Sequence, residues 1–283
     1  MDILENNNKN LSLTVSQCAK TLKQPRGGYL KRVDFTTRNF GGEYISNDNE
    51  NISPIIAGLV VDYLVRYKIT NDKNLAFDIP LLGVRNLDLT LQSPLGAILK
   101  NQFGSDFDPI ELSNELFNDL DLNFNDDTII AACKLTAFDV AYRRSALDFT
   151  GIDDINPDEK TINQIRELVN RSLKIFDKYG GIIDSGFSFK GAYTKQIING
   201  DADYLSPNIL WDMKNIKGYI DKSHTTQLLI YWRLGMKSNP EKFSNINFLG
   251  IINPRKDETY LYDLSNIDEQ LVEFVDKEII GYK

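Results

Sequence analysis

The chain has one histidine, His224, and two cysteines, Cys18 and Cys133, among 283 residues. A single histidine excludes the multi-histidine zinc sites and a His–His acid/base pair. The cysteines lie far apart with no CxxC spacing, which excludes a thiolate-ligated zinc or iron–sulfur site and fits a reducing compartment. No apolar run approaches the roughly 18 residues that a membrane-spanning helix needs. The opening MDILENNNKN lacks the basic-then-apolar pattern of a signal peptide, so the expectation is a cytoplasmic protein with no membrane partner. Neither GxxxxGKS/T nor GxGxxG occurs, which removes the two common phosphate-cradling loops. Any ATP-driven motor working with this protein, a helicase or other ATPase, would therefore sit on another chain. The acidic run from Asp119 to Asn123 is not a calcium loop, because Phe124 and Ile130 stand where that loop needs glycine and a bidentate glutamate.

Basic residues are also in deficit, 32 against 40 acidic, for a net charge of −8. Phosphate contacts dominate nucleic-acid affinity, so this balance argues against a non-specific DNA coater. It leaves room for an enzyme that grips nucleic acid through a local basic patch and a bound metal. Lys190, Lys195, Lys214, Lys217, Lys222, Arg233 and Lys237 gather in sequence around the stretch singled out below.

Periodicity divides the chain into a mainly helical portion to about residue 180 and a strand-rich remainder, with no internal repeat or evident linker; one domain spanning 1–283 is expected. Residues 1–10 read as a polar, frayed terminus. Helices are predicted over 11–22, from Ser53 with Pro54 in the first turn, and over 109–121, 127–146 and 158–178. Residues 75–100, broken by Pro80 and Pro94, carry no clear period. After Gly181 the pattern turns strand-like: a hairpin of 182–189 with 192–198 turning at Lys190-Gly191, then strands over 203–205, 209–214, 243–252 and 259–264. Helices are expected over 225–234 and 267–280.

The chemistry concentrates between Gly200 and Gly235. In a strand Ile209, Trp211 and Met213 share one face, while Leu210, Asp212 and Lys214 share the other. A carboxylate and an ammonium thus lie side by side at the end of an apolar run. Asp201 and Asp203 precede it, and Gln227 and Tyr231 follow, four residues apart on one helix face. Phosphodiester hydrolysis needs a divalent cation held by hard oxygen ligands, and a fixed positive charge near the attacking water. Asp203 and Asp212 are suited to hold Mg²⁺ or Mn²⁺, with the Met213 carbonyl as a further ligand. Lys214 is suited to orient or deprotonate the water, or to stabilise the transition state. Taken singly, D-x-K on a strand is a solvated salt bridge, Asp203 a turn residue, and Gln227 with Tyr231 a polar pair; His224 is read as a helix-start residue. In order and at this spacing they favour the nuclease reading.

The order G-x-x-D, apolar run ending D-x-K, then Q-x-x-x-Y resembles the PD-(D/E)XK nuclease superfamily, and its RecB-like branch most. Gly200 to Asp203, Asp212-Met213-Lys214, and Gln227 with Tyr231 carry the resemblance, firmly over residues 181–235. It implies an α/β, restriction-endonuclease-like mixed central β-sheet flanked by helices, with a largely helical N-terminal portion. It also implies a magnesium- or manganese-dependent deoxyribonuclease, RNA not excluded, of the kind that serves DNA repair or phage defence. Gln227 and Tyr231 would position the site or the nucleic-acid backbone. Gly58-Leu59-Val60-Val61-Asp62 has the shape of the family's upstream helical motif, which makes Asp62 a further metal ligand. Residues 25–30, Pro-Arg-Gly-Gly-Tyr-Leu, are similar to the start of many RecB-like domains. The alternative is a catalytically silent nuclease-fold subunit that binds or assembles.

Overall fold

The computed structural model describes residues 12–283, so the frayed terminus expected over 1–10 lies outside the described residues. The chain forms two compact units, one comprising Met1–Tyr44 with Ile175–Lys283 and the other Ile45–Lys174. The division falls close to the expected change of period, but the segment up to Tyr44 belongs with the sheet. The two units differ in charge: the sheet unit carries 20 basic and 19 acidic residues, the helical unit 12 and 21.

The chain begins with β1 (Leu13–Thr14), α1 (Val15–Thr21) and β2 (Thr36–Asn39). The helical unit follows: α2 (Pro54–Thr70), α3 (Lys73–Ala76), α4 (Asp78–Leu91), α5 (Gly96–Phe103), α6 (Pro109–Asn118), α7 (Asp126–Thr136), α8 (Asp139–Arg143) and most of α9 (Glu159–Lys178). Ser53 caps α2 and Pro54 occupies its first turn, where a missing N–H leaves no bond unmade. The same reasoning accounts for 75–100 being helical. Pro80 falls in the first turn of α4, and Pro94 in the turn before α5. This unit's core gathers Leu87, Leu99, Phe138 and Phe149, the two rings stacked 4.9 Å apart.

The remaining elements are β3 (Asp184–Ser188), β4 (Ile197–Asn199), β5 (Asp201–Leu205), β6 (Ile209–Met213), α10 (Lys222–Ser238), α11 (Pro240–Phe243), β7 (Phe248–Asn253), β8 (Glu258–Asp263) and α12 (Glu269–Phe274), which runs into a π-helical segment, Val275–Ile280. Six strands form a mixed sheet in the order β2-β8-β7-β6-β5-β3, and β1 pairs in parallel with β4 as a separate two-stranded sheet. The protein is thus α/β with a mixed sheet. The expected hairpin of 182–189 with 192–198 does not form. Residues 192–196 are taken up by turns, Ala192 N–H bonding to the Phe189 carbonyl and Thr194 N–H to the Ile197 carbonyl, and β3 pairs instead with β5.

Only β6 and β7 pair in parallel within the six-stranded sheet. Parallel neighbours need a crossover, and α10 makes it, packing on both strands. Leu228, Leu229, Ile230 and Leu234 of α10 share a core with Leu210, Leu249 and Ile251. On the opposite sheet face Trp211 packs against Phe176 and Tyr179, and its indole N–H donates to Ser206 at 2.9 Å. Both faces of β6 are therefore buried along its length. Gly250 sits beside Trp211 in register, and a Cβ there would lie 2.3 Å from the indole ring. Gly250→Ala should consequently force the ring out of place and cost about 1–3 kcal/mol. Thermal denaturation should show a lowered Tm, and an unchanged Tm would contradict this packing.

Candidate active site

β5 and β6 pair at Tyr204↔Trp211 and Leu205↔Leu210, and one further step of this register sets Asp203 opposite Asp212. The backbone ladder stops before that step. In its place the Asp203 carboxylate accepts a hydrogen bond from the Met213 N–H at 2.7 Å. A strand residue's N–H and C=O point to the same side, so the Met213 carbonyl also faces the β5 edge. The parting of the two strands brings two carboxylates and a peptide carbonyl to one place.

Asp212 is fully buried, and neither of its carboxylate oxygens accepts a hydrogen bond from a described residue. Lys214 Nζ lies 2.7 Å from Asp212 Oδ2 as a charge pair outside hydrogen-bond geometry. Buried polar groups almost always have hydrogen-bond partners, and a buried carboxylate without them is costly. Asp212 Oδ1, which accepts no hydrogen bond from a described residue, is available to a hard cation, while Oδ2 already faces the Lys214 ammonium. The donors that converge here (Asp203, Asp212 and the Met213 carbonyl) are all oxygens, the ligand set of Mg²⁺ or Mn²⁺. Among the described residues no group of three or more His, Cys, Asp or Glu side chains gathers as a metal cluster. A cation held here would rest on two carboxylates and main-chain or water oxygens.

The helix completes the arrangement. Lys214 Nζ donates to Gln227 Oε1 at 3.4 Å, and Gln227 Nε2 donates to the Tyr231 hydroxyl at 2.9 Å. The i, i+4 spacing of Gln227 and Tyr231 is what lets them bond. Tyr231 is buried and stacks on Phe189. Burial holds its hydroxyl far above the ordinary phenol range, and the negative charges of Asp212 and Asp203 push it further. It is a neutral hydroxyl beside two anions. Gly200, the glycine of G-x-x-D, lets α1 approach: a Cβ would lie 2.4 Å from Val15 Cγ2 and 3.2 Å from the Tyr231 ring. The segment over residues 24–30 docks on the start of α10, where Gln24 Oε1 accepts from Thr226 and the Leu30 carbonyl accepts from Thr225.

The sheet unit thus brings together Asp203, Asp212, Met213, Lys214, Gln227 and Tyr231. Asp62 belongs to the helical unit, where its carboxylate meets Arg66 at 2.7 Å within α2. His224 is, as expected, a helix-start residue, and it takes part in the cap of α10. It is the third residue of a capping box: Asp221 accepts from the Ser223 and His224 N–H groups, and His224 Nδ1 accepts from the Asp221 N–H at 3.1 Å. Burial lowers its pKa from the ordinary 6.5, the Lys214 charge lowers it further, and Asp221 and Asp212 pull the other way. His224 therefore lies in the field of the site. Its offset of three residues from Gln227, one turn earlier on the same helix face, was the available signal.

Comparison of the chain with protein-family models, with curated proteins and with solved structures returns no match. The site's own geometry carries whatever is concluded about function.

As the single histidine, His224 gives one assignable imidazole signal for NMR titration. Its midpoint should fall below about 6.5. Lys214→Gln should raise the midpoint by removing a cation, and Asp212→Asn should lower it by removing an anion. A midpoint that neither substitution moves would contradict the placement. The sign for stability follows. With the folded-state pKa depressed, the unfolded chain binds the extra proton, so this group lowers stability as pH falls from about 6.5 towards the folded midpoint.

Proposed function

We propose that this chain is a metal-dependent nuclease of the PD-(D/E)XK type, with a restriction-endonuclease-like sheet, that hydrolyses phosphodiester bonds of DNA. The observation that carries the proposal is the buried Asp212 carboxylate. It has no hydrogen-bond donor among the described residues, faces Asp203 across parted strands, and has Lys214 at 2.7 Å. A buried salt bridge of purely structural value is stable only when further hydrogen bonds satisfy its carboxylate, and no described residue donates one to Asp212.

In this reading Asp203, Asp212 and the Met213 carbonyl hold Mg²⁺ or Mn²⁺. When bound, the cation supplies charge neutralisation at the phosphate and acidifies water. The protein's own contribution is positional. The sheet fixes both carboxylates, and Met213 N–H holds Asp203 in one orientation. Lys214, held between Asp212 and Gln227, points its ammonium at the place where a water attacks phosphorus. There its charge favours the water's deprotonation and offsets negative charge developing on the phosphoryl oxygens. A P–O ester bond breaks, leaving a phosphomonoester and an alcohol. Gln227 and Tyr231 keep Lys214 in position rather than touching the substrate.

Linear and circular DNA, single-stranded and duplex, and RNA should be incubated with the protein in Mg²⁺, Mn²⁺ or EDTA. Cleavage should need the cation, and should fall by at least about 10²–10³ in both Asp212→Asn and Lys214→Gln. Variants that keep the wild-type circular-dichroism spectrum and cleave normally would overturn the assignment. Metal binding without hydrolysis of any substrate would favour the silent, binding subunit instead.

A further inference from the structure

Beyond the carboxylates, the loop from Lys214 to Asp221 leads to a second feature that the motifs do not cover. A cavity of about 510 Å³ opens where this loop meets residues 26–33. Arg26, Lys31, Arg32 and Lys222 line it, all exposed, together with Val33, which is 81% exposed. None of these four cations is in an ion pair among the described residues. One acid, Asp221, also lines the cavity. Its carboxylate is occupied by the α10 cap, accepting from the Ser223 hydroxyl and N–H and from the His224 N–H. Four cations against one acid around a single cavity stand out in a chain of net charge −8.

At the edge stands Tyr219, 66% exposed on the same loop. The Arg32 guanidinium and the Lys256 ammonium each lie 4.2 Å from its ring centroid. An exposed aromatic ring held among cations is the combination that grips single strands, phosphates on the charges and an unstacked base on the ring. Duplex bases are stacked on one another and offer no free face to such a ring. The cavity is of the size that takes a small ligand or a nucleotide-sized part of a larger one. The cavity lies at the N-terminal end of α10, the helix that carries Gln227; Lys222 precedes Gln227 by five residues, about 7.5 Å along the axis and rather more than a third of a turn round it.

We propose that this groove is the path by which single-stranded nucleic acid reaches the carboxylate site. Arg26, Lys31, Arg32 and Lys222 engage successive phosphates, and Tyr219 stacks a base, displacing one of its two cations onto phosphate. The proposal rests on the nuclease reading for what the strand is delivered to, but its test does not need turnover.

Fluorescence polarisation of labelled oligo(dT), oligo(rU) and a duplex of the same length, with the full chain in EDTA, makes the measurement. Single strands should bind more tightly than duplex, and the tighter of oligo(dT) and oligo(rU) identifies the source. Tyr219→Ala should weaken single-strand binding about tenfold or more. The pair Arg26→Ala with Arg32→Ala should make the salt dependence of log K shallower by about 0.7 for each phosphate that is no longer neutralised. All three side chains are exposed, so melting curves should match wild type. Equal or tighter binding of duplex, variants that bind like wild type, or no binding of any strand would each overturn the groove. If the groove variants lose binding but no substrate is cleaved in Mg²⁺, the groove stands and the nuclease reading falls. If cleavage needs Asp212 while the groove variants bind normally, the reverse holds.

Discussion

Burying the Asp212 carboxylate is the constraint around which the sheet unit is arranged. An isolated carboxylate in such a place costs several kcal/mol or more, and no hydrogen bond among the described residues relieves it. Lys214 supplies the counter-charge from two residues along the chain, just past the end of β6, where its N–H donates to the Ile252 carbonyl at 2.9 Å. β6 itself is held on both faces, the Trp211 face on Phe176 and Tyr179 and the other under α10. The crossover between the parallel strands β6 and β7 puts α10 there, and its Gln227 and Tyr231 hold the lysine. In the proposed function Asp203 and Asp212 would hold a cation, which would give the Asp212 carboxylate a partner that no described hydrogen-bond donor supplies. Functional sites characteristically keep this kind of unfavourable local state, balanced by packing elsewhere.

Charge is partitioned in a way that the whole-chain balance conceals. The acidic excess lies wholly in the helical unit, 21 acidic against 12 basic residues, while the sheet unit has 20 basic and 19 acidic. An unfavourable net charge for polyanion binding therefore does not describe the unit that holds the candidate site. Within that unit the cations are further concentrated around Tyr219 and the start of α10. Local fields, not net charge, set the affinity for phosphate.

Much of the candidate site was legible because its elements have short periods and sharp punctuation. The alternation through Ile209–Met213 marked a strand, and the i, i+4 spacing of Gln227 and Tyr231 marked a shared helix face. What escaped was pairing and long-range packing. Residues 182–198 read as a hairpin because two apolar runs flank Lys190-Gly191; which strand accepts β3 depends on the turns at 192–196 and on β5, neither visible in a local pattern. The helices over 75–100 were hidden by Pro80 and Pro94, whose positions in a first turn and a connecting turn are harmless. The start of the π-helical stretch after Phe274 has no sequence signal that we recognise. His224 looked peripheral because its link to Lys214 and Asp212 runs through space, across a loop of seven residues from Asn215 to Asp221.

The central claim is that Asp212 is left without hydrogen bonds so that it can ligate a divalent cation. Titrating Mn²⁺ into the protein while following the free ion by electron paramagnetic resonance tests it without any nucleic acid. The account predicts saturable binding by the wild-type chain and a loss of affinity of tenfold or more in Asp212→Asn. Equal Mn²⁺ affinity in the two proteins, or none in either, would contradict it.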